Sequence, residues 1–150
     1  PWEYLAVASK NLSHKGLLVI GVPNLDSIEL RLFQRHWFHL VPEHHLWFFS
    51  SISIGRMLRK SGFVVQKIDY WSPEHHIPGI LQSLINKTSG SDSVLHRLIK
   101  RREHVSSLSL LDIAACIFWL TAGLPIVFLF WIVSSLAHKS GTIVVIARVR

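Results

Sequence analysis

A short apolar run that stops at a proline constrains the fold of this chain more than any other feature. Residues 17–22 are apolar apart from one glycine, and Pro23 and Asn24 follow directly. A run of this kind predicts a strand covered on both faces, as in a parallel α/β sheet, and it is too short to indicate a helix. Proline has no N–H to donate to a neighbouring strand, so the strand is expected to end at Pro23.

The end of this strand is also where a binding site is expected. Ligands of open α/β sheets lie beyond the carboxyl ends of the strands. Pro23 and Asn24 are therefore candidate substrate-binding residues. The alternative is that this pair forms only a turn, because both residue types favour turns for backbone reasons.

The neighbouring patterns predict an α-β-α-β order, then a long insert and a last strand. Residues 2–12 have helical spacing, and Gly16 lies where a loop would lead from that helix into the first strand. Residues 63–70 and 142–149 have the composition of two further strands. The chain is therefore expected to belong to the α/β class.

The second predicted helix carries its own start and stop signals. Ser50 or Ser51 can cap its first turn, and Gly62 supplies a left-handed turn at its end. Helical spacing predicts that its buried stripe consists of Ile52, Ile54, Met57 and Leu58.

Three phrases in this order resemble the C-terminal half of class I S-adenosylmethionine-dependent methyltransferases. They are residues 12–24, residues 42–50 with Pro42-Glu43-His44-His45-Leu46, and residues 58–63. The likeness is to the broad group that carries a Pro-Pro-His-His-Leu-like loop before this helix. It covers residues 1–71 well and residues 141–149 loosely, and says little about residues 72–140.

The resemblance implies the C-terminal portion of a Rossmann-like methyltransferase sheet. In that family the first half of the domain holds S-adenosylmethionine through an acidic-x-Gly-x-Gly loop and a carboxylate after the second strand. The eight glycines of this chain never form Gly-x-Gly, and the sequence begins inside a helical pattern. We therefore expect a truncated piece, inactive alone, whose missing N-terminal half binds the cofactor.

These patterns and the resemblance divide the chain into four predicted parts. Residues 1–71 are the C-terminal half of the α/β domain, and residues 72–106 are a variable, mobile insert. Residues 107–140 form an apolar helical hairpin, and residues 141–150 are the last strand of the sheet. The expected function is methyl transfer from S-adenosylmethionine to a small-molecule or lipid-like acceptor. The alternative is a non-catalytic, membrane-associated α/β module.

Histidines are concentrated around the first loop. Six of the ten are His36, His39, His44, His45, His75 and His76. A metal site is not expected, because no cysteine joins them and structural zinc needs four convergent ligands. By resemblance, the loop with His44 and His45 lies beside the substrate pocket, so one of the two is a candidate general base. Either could instead only bond the loop to the helix that follows.

Between the first strand and this loop, residues 25–38 carry apolar side chains on a short predicted helix. One interpretation is a packing helix. The other is a lid whose aromatic residues, Trp37 among them, shape an apolar or aromatic acceptor pocket.

The net charge and the cysteine content limit the binding partners and the cellular location that are expected. The net charge is +7, but the cluster Lys100-Arg101-Arg102 lacks the interleaved aromatic residues of a base-stacking platform, so nucleic acid is an unlikely partner. A basic cluster before an apolar segment fits a membrane surface better. The chain has a single cysteine, Cys116, so an internal disulfide is excluded. A cytoplasmic location is therefore expected, and one interpretation places the protein at the surface of a membrane.

The apolar segment from Ile113 to Ala137 has no charged residue. Its length exceeds the roughly 20 residues of a membrane-spanning helix. Gly123-Leu124-Pro125 interrupts it, however, and the last strand must return to the sheet of the first. We therefore expect a hairpin bent at residues 123–125, which packs on the domain or dips into one leaflet, with a single span as the third alternative.

Overall fold

The computed structural model describes residues 1–13, 15–41, 45–91, 93–99 and 108–150. The helices are α1 (Trp2–Asn11), α2 (Ile28–Phe33), α3 (Ser51–Lys60), α4 (Pro73–Ser89), α5 (Val94–Ile99), α6 (Leu110–Leu120) and α7 (Leu124–Leu136). The strands are β1 (Leu18–Pro23), β2 (Phe63–Asp69) and β3 (Thr142–Val149), and a 3₁₀ turn, Gln34–His36, follows α2.

The three strands form one sheet in the order β1-β3-β2. β3 is antiparallel to both neighbours, so β1 and β2 run in the same direction. Leu18 lies opposite Ala147 in one pair, and Phe63 lies opposite Val149 in the other. The α/β class and the return of the last strand to the sheet of the first are therefore confirmed.

The prediction of a doubly covered, parallel β1 was wrong. β1 pairs antiparallel with β3, and Val19 is 60% exposed. Leu18, Ile20 and Val22 are partly buried against the core, so the side chains alternate between the two faces of the sheet. An apolar run thus does not show whether a strand is covered on both faces.

The main core lies on one face of the sheet. Its buried residues come from α1, α3 and the two strands β2 and β3: Leu5, Ile54, Met57, Leu58, Phe63, Ile143, Val145 and Ala147. Burial of this apolar set holds α1 and α3 against the sheet.

α3 begins and ends where the sequence predicts. The Ser50 hydroxyl accepts the Ser53 N–H at 3.1 Å, and the Ser53 hydroxyl accepts the Ser50 N–H at 2.8 Å, which makes a capping box. Gly62 has φ +83°, the left-handed conformation that ends the helix. Ile52 corrects the predicted stripe, because it is 61% exposed on the first turn.

α4 lies within residues 72–106, for which the sequence predicts a variable, mobile insert. It runs for 17 residues and buries Ile80 and Ile85 completely. Pro73 and Pro78 both lie in the helix, and the missing N–H of Pro78 removes one helical hydrogen bond. Burial of the apolar face offsets that loss. The basic cluster of residues 100–102 lies outside the described residues.

α6 and α7 lie within the residues predicted as an apolar hairpin, and both pack on α4. Ala115 and Cys116 of α6 pack with Ile85, and Val127 of α7 packs with Ile80. Within the described residues, no single helix is long and apolar enough to cross a bilayer, whereas α6 and α7 together meet length and composition criteria with a bend of 66° between them.

Candidate functional site

Asn24 ties the end of β1 to the start of β3. It is 1% exposed, and its Nδ2 donates to the Ser140 carbonyl at 2.9 Å. Its Oδ1 accepts the Asp26 N–H at 3.0 Å, which shapes the turn after the strand. In this structure Asn24 acts as a turn and tether residue, and its predicted contact with substrate stays a prediction.

We expect Asn24→Ala to destabilise the chain by about 1–3 kcal/mol, because the Ser140 carbonyl and the Asp26 N–H would lose their partners. Urea unfolding measures the change. Gln66→Ala is the control, since the Gln66 side chain is exposed and bonds only the Val64 carbonyl, at 3.4 Å. Equal stability of the two variants would refute the tethering role.

Glu29 is buried beside this tether. Ser27 caps α2 by accepting the Leu30 N–H at 3.0 Å, and this places Glu29 in the first turn. Glu29 is fully buried, and its Oε1 accepts the Gly141 N–H at 2.8 Å. Burial raises the pKa of Glu29 from 4.5 to about 7, against the opposing effect of the bonds from Gly141 and Trp37.

Trp37 covers Glu29 from the other side. It is 2% exposed, and its indole N–H donates to Glu29 Oε2 over 3.4 Å. Its ring contacts His39 edge-on, with ring centroids 5.4 Å apart, and is tilted against Phe48 at 6.2 Å. Trp37 therefore packs inside the protein, and the predicted role in an acceptor pocket stays a prediction.

His39 and His76 lie in the same buried region. Burial, followed by the nearby charges of His45, His76 and His75, lowers the pKa of His39 to about 3. Burial also lowers the pKa of His76, although its bond to Thr142 opposes that shift. His76 Nε2 lies 2.8 Å from the Thr142 carbonyl and 3.2 Å from its backbone N, so the tautomer decides which of the two it bonds.

We call this group of side chains the polar junction. It consists of Glu29, Trp37, His39, His76 and the backbone of Gly141 and Thr142. Glu29 was not predicted as a site residue, because one carboxylate in the first turn of a short helix is normally solvated and interacts favourably with the helix dipole. Among the described residues no group of three or more His, Cys, Asp or Glu could hold a metal ion.

His45 connects the polar junction to an apolar cavity. Its ring lies 6.2 Å from the ring of His39 and 6.1 Å from that of Phe48. The cavity has a volume of about 410 Å³ and lies at the carboxyl end of β1. Pro23 is in its wall, and the other lining residues are Pro1, Tyr4, Leu5, Ile20, Gly21, Val22, His45, Leu46, Trp47, Phe49, Ile54 and Met57. We call it the β1 cavity.

The two histidines predicted as catalytic thus have different outcomes. His45 lies in the wall of the β1 cavity. His44 lies outside the described residues, as do Pro42 and Glu43 of the same loop. Of the predicted substrate-binding residues, only Pro23 lines this cavity, whereas Asn24 and Trp37 are buried beside it.

A second cavity, of about 590 Å³, adjoins the first across Trp47, Phe49 and Met57. It opens between α1 and α3, and Arg56 and Lys60 give its wall positive charge, opposed by Asp26. The exposed Ile52 lies in this wall. Together the two cavities form a continuous, mostly apolar depression beside β1.

Comparison with known proteins does not identify a family for this chain. The chain matches no protein-family model and no curated protein. A functional assignment therefore depends on the residues around the β1 cavity and on the resemblance of the three sequence phrases.

Proposed function

We propose that this chain is the acceptor-binding half of a class I methyltransferase. The reaction is transfer of a methyl group from S-adenosylmethionine to a small-molecule or lipid-like acceptor, in a cytoplasmic setting. The observation that carries the proposal is the β1 cavity, which lies at the carboxyl end of β1 and has His45 in its wall. This is the end of the strand where ligands of open α/β sheets bind.

The shape and lining of the cavity favour an apolar acceptor. Its volume of about 410 Å³ is in the range of small-molecule sites, and most of its lining side chains are aliphatic or aromatic. His45 is one of the few polar groups there. An acceptor with an apolar body and one hydroxyl, amine or acidic carbon fits this arrangement.

The free edge of the sheet supports the idea of a half domain. β1 has β3 on one side, and no strand of the described part of the chain pairs along its other edge. Val19 on β1 and Leu17 just before it are 60% and 56% exposed. Unpaired strand edges are normally paired or covered in a complete protein, and a strand of a cofactor-binding half would pair with this one.

The residues of this chain do not fit the cofactor by themselves. A methyltransferase of this class holds it through closely spaced glycines, and the eight glycines here, at positions 16, 21, 55, 62, 79, 90, 123 and 141, are never two residues apart. Gly141 and Gly79 instead lie against the side chains of Glu29 and His39. We therefore assign cofactor binding to another part of the protein.

This chain would then contribute acceptor binding and proton removal. The apolar wall of the β1 cavity orients the acceptor, which is the main requirement for an in-line displacement. The His45 imidazole removes the proton from the acceptor nucleophile, because histidine is the side chain that most often acts as a general base. The edge contact with His39 positions the His45 ring.

Calorimetry with S-adenosylmethionine tests whether the cofactor is bound by another part of the protein. The 150-residue chain alone should show no saturable binding, and the complete gene product should bind. Saturable binding by the chain alone would refute the assignment of the cofactor to another part. If the complete protein fails to bind but still associates with vesicles, the non-catalytic membrane module replaces the methyltransferase proposal.

In the complete protein, His45→Ala should lower turnover roughly a hundred- to ten-thousandfold at unchanged melting temperature, as expected for loss of a general base. The assay follows transfer of a labelled methyl group to extracted lipids and to small metabolites. His75→Ala is the matched control, because the side chain of His75 is 60% exposed and does not line the cavity.

His44→Ala is tested in parallel, since the resemblance names both histidines. A lower melting temperature for His45→Ala, with full turnover per folded molecule, would assign His45 to structure and contradict its role as a base.

A further inference from the structure

The outer faces of α6 and α7 carry a large uncovered apolar surface, which we call the hairpin surface. Eleven of its large apolar side chains are exposed: Leu110, Leu111, Ile117, Phe118, Leu120, Ile126, Phe128, Leu129, Ile132, Val133 and Leu136. Patches of this extent on soluble proteins mark interaction sites rather than chance exposure.

The hairpin surface is separate from the faces with which α6 and α7 pack against the rest of the protein. The inner faces of both helices are already packed, with Cys116 against Ile85 and Val127 against Ile80. A helix that is apolar on all sides needs a second apolar environment for its other face.

The polar groups of the hairpin point to hydrocarbon as that environment. Thr121 at the bend is exposed, but its hydroxyl donates to the Ile117 carbonyl at 2.6 Å. The Ser134 hydroxyl likewise donates to the Trp131 carbonyl at 3.1 Å, and Ser135 is buried. Protein interfaces usually have a polar rim with direct hydrogen bonds between the partners. This surface offers few groups for such bonds.

Several backbone groups at the bend have internal partners. The Gly123 N–H donates to the Phe118 carbonyl at 2.8 Å, and the Leu124 N–H donates to the Thr121 carbonyl at 3.2 Å. Pro125 has no N–H to satisfy. Unpaired backbone groups are costly at membrane depth, and these bonds remove that cost for the N–H groups of Gly123 and Leu124.

The charges around the hairpin complement an anionic lipid surface. Residues 113–137 carry no charge, whereas His138 and Lys139 follow α7 and Lys100-Arg101-Arg102 precede α6 in the sequence. The whole chain has a net charge of +7. Basic residues beside a membrane are attracted to anionic headgroups.

We propose that the hairpin surface docks on a lipid bilayer from one side, with the bend at residues 121–123 deepest and both ends in water. The chain bends by 66° between α6 and α7, and both helices pack on α4, so only their outer faces can enter the lipid. The docking resembles that of an interfacial amphipathic helix. It does not depend on the methyltransferase proposal.

Vesicle flotation of the 150-residue chain tests the docking. The chain should float with phosphatidylcholine vesicles, and more strongly when these contain phosphatidylglycerol. Ile117→Asn combined with Leu129→Asn should weaken partitioning about tenfold or more, because two apolar side chains would no longer enter hydrocarbon.

The matched control is Val7→Asn combined with Leu17→Asn. These residues are 60% and 56% exposed, close to the 61% and 62% of Ile117 and Leu129, but they lie on α1 and before β1. Circular dichroism checks that both double variants remain folded. Equal loss of flotation in the two variants would overturn the proposal.

A fluorescent probe measures whether the hairpin itself enters the lipid. Leu129→Cys is labelled with nitrobenzoxadiazole in a Cys116→Ala background, and Arg56→Cys is the reference on α3. Emission at position 129 should shift to the blue on addition of vesicles, with no shift at position 56. An unshifted probe at position 129 would mean that basic residues alone hold the chain, and would overturn the proposal.

Oligomeric state separates lipid from a second copy of the chain. Size-exclusion chromatography with light scattering should show the same state for the wild type and the hairpin double variant. A wild-type dimer that the variant converts to a monomer, without vesicle binding by either, would assign the hairpin surface to self-association and overturn the proposal.

Discussion

Replacing Gly141 by alanine is expected to destabilise this chain by about 3 kcal/mol or more. A methyl group at position 141 would overlap the carboxylate of Glu29. That carboxylate is fully buried and accepts the Gly141 N–H, so moving it breaks the bond and leaves a buried polar group without a partner. Denaturant unfolding followed by tryptophan fluorescence measures the loss.

Gly21→Ala is the matched control for this prediction. Gly21 lies in β1, and nothing is within 4 Å of the position its methyl group would take. We expect its stability to stay within about 1 kcal/mol of the wild type. Two equally stable glycine variants would contradict the close contact at Gly141.

The double variant Gly141→Ala with Glu29→Ala sharpens the test. Removing the Glu29 carboxylate makes room for the new methyl group, so the combined destabilisation should be smaller than the sum of the two single effects. Additive effects would show that the two residues act independently.

The second large effect is the pH dependence that Glu29 imposes on stability. Its pKa is 4.5 when exposed and about 7 when buried in the fold. Between these values the folded chain holds a proton that the unfolded chain has released. Stability therefore falls as pH rises, by about 1.4 kcal/mol per unit and by about 3 kcal/mol over the whole range.

The comparison with Glu29→Gln isolates this contribution. His39 and His76 have lowered pKa values, so each favours the folded chain as pH rises. Both histidines remain in the variant, and their effects cancel in the difference. The stability of the wild type relative to Glu29→Gln should fall by about 3 kcal/mol between pH 4.5 and 7.

Urea unfolding at a series of pH values gives this difference directly. A difference that does not change with pH would mean that Glu29 titrates in the fold as it does in the unfolded chain. The absolute stability of the variant is less informative, because the amide also changes the contact with the Trp37 indole N–H.

Local signals predicted the local parts of the fold. The helix cap at Ser50, the left-handed turn at Gly62 and the break at Gly123 each depend on neighbouring residues, and all three are present. α4 was missed because Pro78 and Gly79 resemble the end of a helix. Gly79 instead allows close approach of His39, whose Nε2 would lie 2.9 Å from an added methyl group.

Long-range contacts account for what the sequence did not predict. Glu29 bonds Gly141, a residue 112 positions away, and His76 bonds Thr142, 66 positions away. No periodicity within a short window contains such pairs. The antiparallel position of β3 between β1 and β2 has the same origin, since apolar composition does not specify strand partners.

The order of the strands has a consequence for synthesis on the ribosome. β1 and β2 have no direct pairing and are joined only through β3, whose entry is tied to β1 by the bond between Asn24 and Ser140, 116 positions apart. The sheet can therefore form only after α6 and α7 have emerged. Such late, distant pairing makes folding slow, and the apolar helices α6 and α7 would leave the ribosome while the strands are still unpaired.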